Sequence, residues 1–317
     1  MTDTMAKQYP RGWFVVAFSD EIPAKGVKSL RYFGEKLVAF RGEDGNLHVL
    51  DAYCAHMGAD LAAGGKVVGN AIECPFHAWQ YCGSGECVSI PYAKKIPVKA
   101  RQRAWTVREV NGAVFLHHDP DGAPPTFEVP VIAEHGSDAW LPWVTSQYAI
   151  KTHPREIVEN IADRAHFPRV HNTEIDEFSF DASGHTATQK VKGRAVLPGG
   201  GVDNFASTTT YHGPGFLIMN MAGALENYML VAHTPVDHGL LDLRMGVMLK
   251  IVGDRKKTEG FVALYMANLK AGFEDDIQIW ENKLYREQPV LCDGDGPINQ
   301  LRRWYRQFYK QEVGDAE

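Results

Sequence analysis

The chain holds 317 residues, 44% of them apolar and 23% charged, a length and apolar share that support one large domain or two ordinary ones. Disorder, collagen and a disulfide miniprotein are excluded, and the net charge of −6 speaks against nucleic acid as a bulk partner. Five cysteines are an odd count, no apolar run approaches the roughly 20 residues of a membrane span, and Met1 to Gly12 lacks a signal-peptide core, so a cytoplasmic location is expected.

In chain order, the first third reads as short strands punctuated by turns. Trp13 to Phe18 is rich in strand formers, and Lys36–Arg41 and Leu47–Leu50 flank Asp44-Gly45, a hairpin signal. Cys82-Gly83-Ser84-Gly85-Glu86-Cys87 predicts a second hairpin, and Gly112 to His117 a further strand. Asp119-Pro120-Asp121-Gly122 before Pro124-Pro125 combines turn residues with chain stiffeners, so domains 10–120 and 121–317 are expected. Pro154 to Ala165 reads as helical. Strand-like runs follow at Thr188–Val196, Phe205–Tyr211, Phe216–Met221, Met229–Thr234 and Leu241–Leu249. Phe261 to about Arg286 is a helix, and Asp295-Gly296-Pro297 opens a last one, with Ile298, Leu301, Tyr305 and Phe308 as its docking stripe. Strands followed by a helix-flanked second sheet, without alternating βαβ units, predict an α+β protein.

Two loops carry the first constellation: Cys54-Ala55-His56, seventeen residues, then Cys74-Pro75-Phe76-His77. Zinc is one reading, since two Cys and two His close a tetrahedron, but a zinc finger groups its cysteines together and its histidines together. Here each loop mixes one thiolate with one imidazole. That suits a [2Fe-2S] cluster in which one iron takes both cysteines and the other both histidines, the Rieske arrangement. High-potential Rieske proteins, as a class, add a cross-linking cysteine in each loop and a serine after the second histidine. Ala59, Phe76 and Ala78 stand in those places, so fewer donors reach the sulfurs and a negative midpoint is expected. Cys82 and Cys87 are surplus to the ligand set and read as reduced structural thiols, and Cys292 is assigned no role.

The second constellation runs from Glu159 to His171. Asp163 and His166 are neighbours on one face if the segment is helical. His166 and His171, five apart, converge if Pro168 kinks that helix. A facial triad needs one carboxylate more, and Glu274-Asp275-Asp276 offers three, of which at most one can face an iron; spacing alone leaves the choice open.

Together, Cys54-Ala-His-Met-Gly, Cys74-Pro-Phe-His-Ala-Trp and Asn160-x-x-Asp163-x-x-His166-x-x-x-x-His171 resemble the oxygenase component of Rieske non-haem iron oxygenases. Within it, Asp51-Ala52-Tyr53-Cys54, Ile90-Pro91-Tyr92-Ala93, Asp276-Ile277-Gln278-Ile279-Trp280 and Leu301-Arg302-Arg303-Trp304-Tyr305 look closest to the 3-ketosteroid 9α-hydroxylase and sterol 7-desaturase group. The resemblance implies an all-β Rieske domain before a helix-grip catalytic domain. It implies a mononuclear Fe(II) on His166, His171 and Asp276, the family's acid lying four residues before that tryptophan. Asn160 matches an asparagine close to the iron, and Asp163 an aspartate that links a cluster histidine to an iron histidine of a neighbouring subunit in a homotrimer.

By the same resemblance O₂ is the co-substrate, and electrons come from NAD(P)H through a ferredoxin- or flavin-type reductase. The implied reaction is hydroxylation or desaturation of a lipophilic, steroid-like molecule. Phe205, Phe216, Ile218, Asn220 and Met229 are expected to wall its pocket. The alternatives are cis-dihydroxylation or demethylation of a smaller ring and, from another class, a Rieske electron carrier whose second half is merely structural. Lys94, Lys95, Lys99, Arg101 and Arg103 form a basic run that is either a solvated face or a dock for an acidic electron donor.

Overall fold

The structure, a computed structural model, describes residues 5–196, 201–223 and 226–310. Contacts divide the chain into two compact units, Trp13–Val129 and Pro130–Glu317 with Met1–Gly12. The first runs on to Val129 instead of stopping at Pro120. The extra segment is tied back by the Trp13 indole N–H, which donates to the Phe127 carbonyl at 2.8 Å.

The first unit is built of short antiparallel sheets. Strands β1 (Gly12–Phe18), β9 (Val107–Val110) and β10 (Ala113–His118) form one, in the order β1-β10-β9. A second joins β2 (Val27–Tyr32), β3 (Glu35–Arg41) and β4 (Leu47–Asp51). A third runs in order through β5 (Lys66–Val68), β6 (Ala71–Glu73), β7 (Gln80–Cys82) and β8 (Cys87–Ser89). The expected hairpins at Asp44-Gly45 and Ser84-Gly85 are both present. Gly45 and Gly85 take φ of 83° and 82°, the left-handed conformation those turns require.

The second unit is a seven-stranded antiparallel sheet ordered β11-β17-β16-β15-β14-β13-β12. Its strands are β11 (Val144–Ile150), β12 (Thr173–Ser183), β13 (Thr186–Val196), β14 (Val202–His212), β15 (Phe216–Ala222), β16 (Asn227–Asp237) and β17 (Leu240–Leu249). One face packs on a long helix, α3 (Arg255–Asn282), through Leu241, Leu243, Met245, Val247 and Met229 against Val262, Met266 and Trp280. This is the helix-grip architecture and an α+β fold. Among the described residues no helix is long and apolar enough to cross a membrane.

The segment between β11 and β12 corrects the expected continuous helix over Pro154–Ala165. Helix α1 covers only Pro154–Val158; a 3-10 turn follows at Glu159–Ile161, and α2 is His166–Val170. The break falls before His166, not at Pro168. Asp163 Oδ1 accepts the backbone N–H groups of Ala165 and His166 at 2.9 and 3.3 Å, which satisfies the donors at the start of α2. Pro168 lies in the first turn of α2, where a missing N–H is harmless, so it imposes no kink. The last helix, α4 (Ile298–Arg306), buries Ile298, Leu301 and Tyr305, with Phe308 just beyond its end, as its stripe predicts.

Candidate metal centres

The two cysteine–histidine loops of the first unit fold alike. In each, the cysteine carbonyl accepts a bond from the residue four further on, Gly58 N at 2.8 Å and Ala78 N at 3.0 Å. The cysteine N–H bonds one residue beyond, to Ala59 O at 2.8 Å and Trp79 O at 2.7 Å. Gly58 and Ala78 both take positive φ, 75° and 57°. A repeated knuckle therefore presents each thiol inward and each imidazole outward. Cys54 and Cys74 are buried in the same apolar cluster, whereas His56 is exposed and His77 half-buried, their rings 4.7 Å apart. Burial, with the neighbouring Cys54 thiol, pushes the Cys74 thiol above its ordinary range. A bound metal reverses that preference by holding the thiolate. Two buried sulfurs beside two adjacent imidazoles fit a [2Fe-2S] cluster with its histidine-held iron outermost.

Three aromatic residues around these ligands were not singled out by spacing. Trp79 stacks on His56 with centroids 4.5 Å apart and a 7° interplanar angle. Its indole N–H is held by the Tyr92 hydroxyl at 2.8 Å, which gives Ile90-Pro91-Tyr92-Ala93 a physical role. Tyr81 places its hydroxyl 3.2 Å from Cys54 Sγ. Burial first, then Cys54, drives that phenol far above its usual range, so it stays a donor to the sulfur. The alternation Trp79, Tyr81 entering β7 was the available signal. Tyr81 pairs across the hairpin with Cys87, both buried. Cys82 turns to the opposite face, 3.1 Å from Ser84 Oγ, so the two thiols stay apart, and all five cysteines are unbridged.

In the second unit His166 begins α2, His171 caps its end and Asp276 comes from α3. Ligand atoms of the three lie within 4.8 Å of one another, and His171 Nε2 is 3.4 Å from Asp276 Oδ2. Glu274 and Asp275 are exposed while Asp276 is buried, so of the three acids Asp276 is the one beside the two histidines. His166 Nδ1 donates to the Asp163 carbonyl at 2.6 Å, leaving Nε2 with the free lone pair. Burial, then the adjacent His171, holds His166 below its ordinary pKa and so favours the neutral imidazole that a metal needs. A buried carboxylate beside two imidazoles fits a 2-His-1-carboxylate iron. Asn160, in the 3-10 turn, donates from Nδ2 to Asp276 Oδ1 at 3.2 Å. The Asp163 carboxylate caps α2 and stays more than one-third exposed, with Oδ2 3.9 Å from His166 Nδ1.

Glu159 anchors this segment. It accepts from Arg302 Nε of α4 at 2.6 Å and meets Lys283 at 3.4 Å. Along the seam between sheet and α3, Leu217 and Met219 on one side and Tyr265, Leu269 and Phe273 on the other are only partly buried. This leaves apolar surface on both sides of that seam. Strand parity corrects the expected wall. Phe205 and Met229 share the α3 face, while Phe216, Ile218 and Asn220 lie on the opposite one, where Ile218 packs with Trp140 and Met248. Both faces of the sheet are apolar there, so alternation groups the residues without saying which side faces the helix.

Known proteins match both halves. Residues 12–101 fit the Rieske [2Fe-2S] domain and 116–309 the 3-ketosteroid 9alpha-hydroxylase C-terminal domain. The chain is 39% identical over 320 residues, 95% of its length and 82% of the relative's, to a 3-ketosteroid-9-alpha-monooxygenase oxygenase component of Rhodococcus rhodochrous. It is 30% identical over 331 residues, 95% of its length and 72% of the relative's, to cholesterol 7-desaturase of Xenopus laevis. The crystal structure of dicamba monooxygenase bound to dicamba shares the fold, with a TM-score of 0.78 at 18% identity over 94% of this chain and 97% of that one. Fold and matches together define the oxygenase component of a Rieske-type monooxygenase. The chain belongs to the 3-ketosteroid 9α-hydroxylase oxygenase family. Its cofactors are one [2Fe-2S] cluster and one mononuclear iron, fed from NAD(P)H by a separate reductase.

Proposed function

We propose that this chain hydroxylates or desaturates a steroid-like substrate. The observation that carries the reading is the His166–His171–Asp276 triad beside an apolar, incompletely closed sheet–helix seam. The names of the relatives, a 3-ketosteroid monooxygenase component and a cholesterol desaturase, support the same substrate class. When bound, a cluster would supply one-electron storage and an iron would supply O₂ activation. Cys54, His56, Cys74 and His77 hold the first, within the unit Trp13–Val129. His166, His171 and Asp276 hold the second, within the unit that starts at Pro130. The electron-carrier alternative leaves that second triad without a purpose. Leu217, Met219, Tyr265 and Phe273 bind the apolar skeleton and exclude water from the reacting carbon.

Asp163 is the electron relay. Its backbone oxygen orients His166, while its half-exposed carboxylate is available to an outward-facing cluster histidine of a second copy, which supports a homotrimer. The reductase docks on Lys94, Lys95 and Lys99, all exposed. Arg101 is paired with Glu86 and Arg103 lies over Trp105, so both belong to the fold's own surface. The setting is the cytoplasm, where reduced thiols and NAD(P)H coexist.

The test is turnover with a surrogate reductase, NADH and O₂ across a steroid panel, read by product mass. Gain of one oxygen, or loss of two hydrogens, on a steroid is expected. Peroxide alone with every steroid, together with product from a small arene, contradicts the proposal.

A further inference from the structure

Asp276 and Trp280 are four residues apart on α3, so their side chains leave the same face one turn apart, and both are buried. Opposite them stands Asn160. The Trp280 indole Nε1 is 3.2 Å from Asn160 Oδ1, and Asn160 Nδ2 is 3.2 Å from Asp276 Oδ1. We infer that Trp280 is a positioning residue that orients Asp276 through Asn160.

The argument rests on what each group can donate. An indole N–H has no acceptor capacity, so it selects the oxygen end of the amide and turns the NH₂ toward the carboxylate. That engages Oδ1 of Asp276 and leaves Oδ2, the oxygen 3.4 Å from His171 Nε2, to face the metal. Without the indole N–H the amide is free to turn over. Its oxygen then meets a carboxylate oxygen, a contact between two acceptors, and Asp276 loses its fixed orientation. The far side of the arrangement is anchored too. Thr152 Oγ1 donates to the Trp280 carbonyl at 3.0 Å, and the indole ring packs in the sheet–helix core. Trp280 therefore does more than fill space.

The inference depends on iron at His166, His171 and Asp276, and the test separates the two. Iron-free protein with its cluster intact is titrated anaerobically with Fe(II) for wild type, Trp280→Phe, Asn160→Ala and the double variant. Outer-shell partners typically change metal affinity about 10- to 100-fold. Trp280→Phe is expected to weaken Fe(II) binding about 10-fold within that range, with the cluster's visible spectrum unchanged. The double variant is expected to bind no more weakly than Asn160→Ala alone, because Trp280 acts only through the amide. Unchanged affinity in Trp280→Phe, or losses that multiply in the double variant, overturns the inference. Wild type that takes up no iron beyond the cluster instead removes the reading beneath it. Should Trp280→Phe misfold, the nitrogen-15 indole resonance of Trp280 is followed in Asn160→Ala. It moves if the bond exists in solution, and an unmoved resonance overturns the inference.

Discussion

His166 Nδ1 lies 2.6 Å from the carbonyl oxygen of Asp163, so one residue orients the imidazole with its backbone and keeps its carboxylate for other partners. Asp163 Oδ1 also accepts the N–H groups that start α2. Structure and charge are thereby separable at this position.

Asp163→Asn keeps an oxygen for the Ala165 and His166 N–H groups and loses the charge. Iron and cluster content are expected to stay at wild-type levels. Reoxidation of the reduced cluster in the presence of substrate and O₂, followed by stopped-flow absorbance, is expected to slow by about 10-fold or more, as for loss of an outer-shell partner. A wild-type rate removes Asp163 from the relay.

The cluster's midpoint is expected to be negative, since Ala78 offers no hydroxyl to the sulfides. Tyr81 retains a donor to Cys54 Sγ at 3.2 Å. Tyr81→Phe removes it. One hydrogen bond to a charged acceptor is worth about 1.5 kcal/mol or more, and for one electron 59 mV corresponds to a tenfold change. The midpoint is therefore expected to fall, by at most a few tens of mV for each ~1 kcal/mol of that bond specific to the reduced cluster. Redox titration of both proteins checks the sign; a rise on removing the hydroxyl contradicts it.

How far the sequence led can be judged residue by residue. The two cysteine–histidine loops were legible because C-x-H and C-x-x-H are chemically dense and depend little on long-range contacts. The strands from β13 to β17 were legible from apolar runs between turn residues. Strand β12 was missed: Glu174, Asp176, Glu177 and Asp181 make it a charged edge, the composition that shields an edge strand and hides it from apolar pattern reading. The helix expected up to Ala165 was interrupted by tertiary contacts. Arg164 N donates to the Asp295 carbonyl at 3.3 Å, and Asp163 caps the next turn. Both histidines still converge, but as the first residue and the C-cap of one short helix rather than through a proline kink. Trp79, Tyr81 and Tyr92 needed the folded hairpin before their roles existed.

Gly296 supports that interruption. Its φ is 84°, and a Cβ there would stand 2.3 Å from the Ala162 carbonyl oxygen. Gly296→Ala is expected to destabilise the second unit by about 1–3 kcal/mol, the scale of local backbone strain, and to lower iron retention by displacing the chain before His166. Thermal unfolding with iron analysis checks this; an unchanged midpoint and full iron contradict it.

His233 supplies a pH dependence of stability. It is buried on β16 with Nε2 3.1 Å from the Tyr211 hydroxyl, and burial drives it down to about 3. The ordinary value is about 6.5, so the unfolded chain takes up the proton first. The contribution to stability is therefore complete above about pH 6.5 and is lost as pH falls toward 3, at up to about 1.4 kcal/mol per pH unit. Urea midpoints below about pH 6.5 are expected to fall less steeply for His233→Phe than for wild type. Parallel slopes contradict the assignment.

Iron analysis of reconstituted protein tests the central claim most directly. Three iron atoms per chain in wild type, and two in Asp276→Ala with an unaltered cluster spectrum, are the predicted values. Wild type that never exceeds two, or an Asp276→Ala variant that keeps all three, contradicts a second centre at His166, His171 and Asp276.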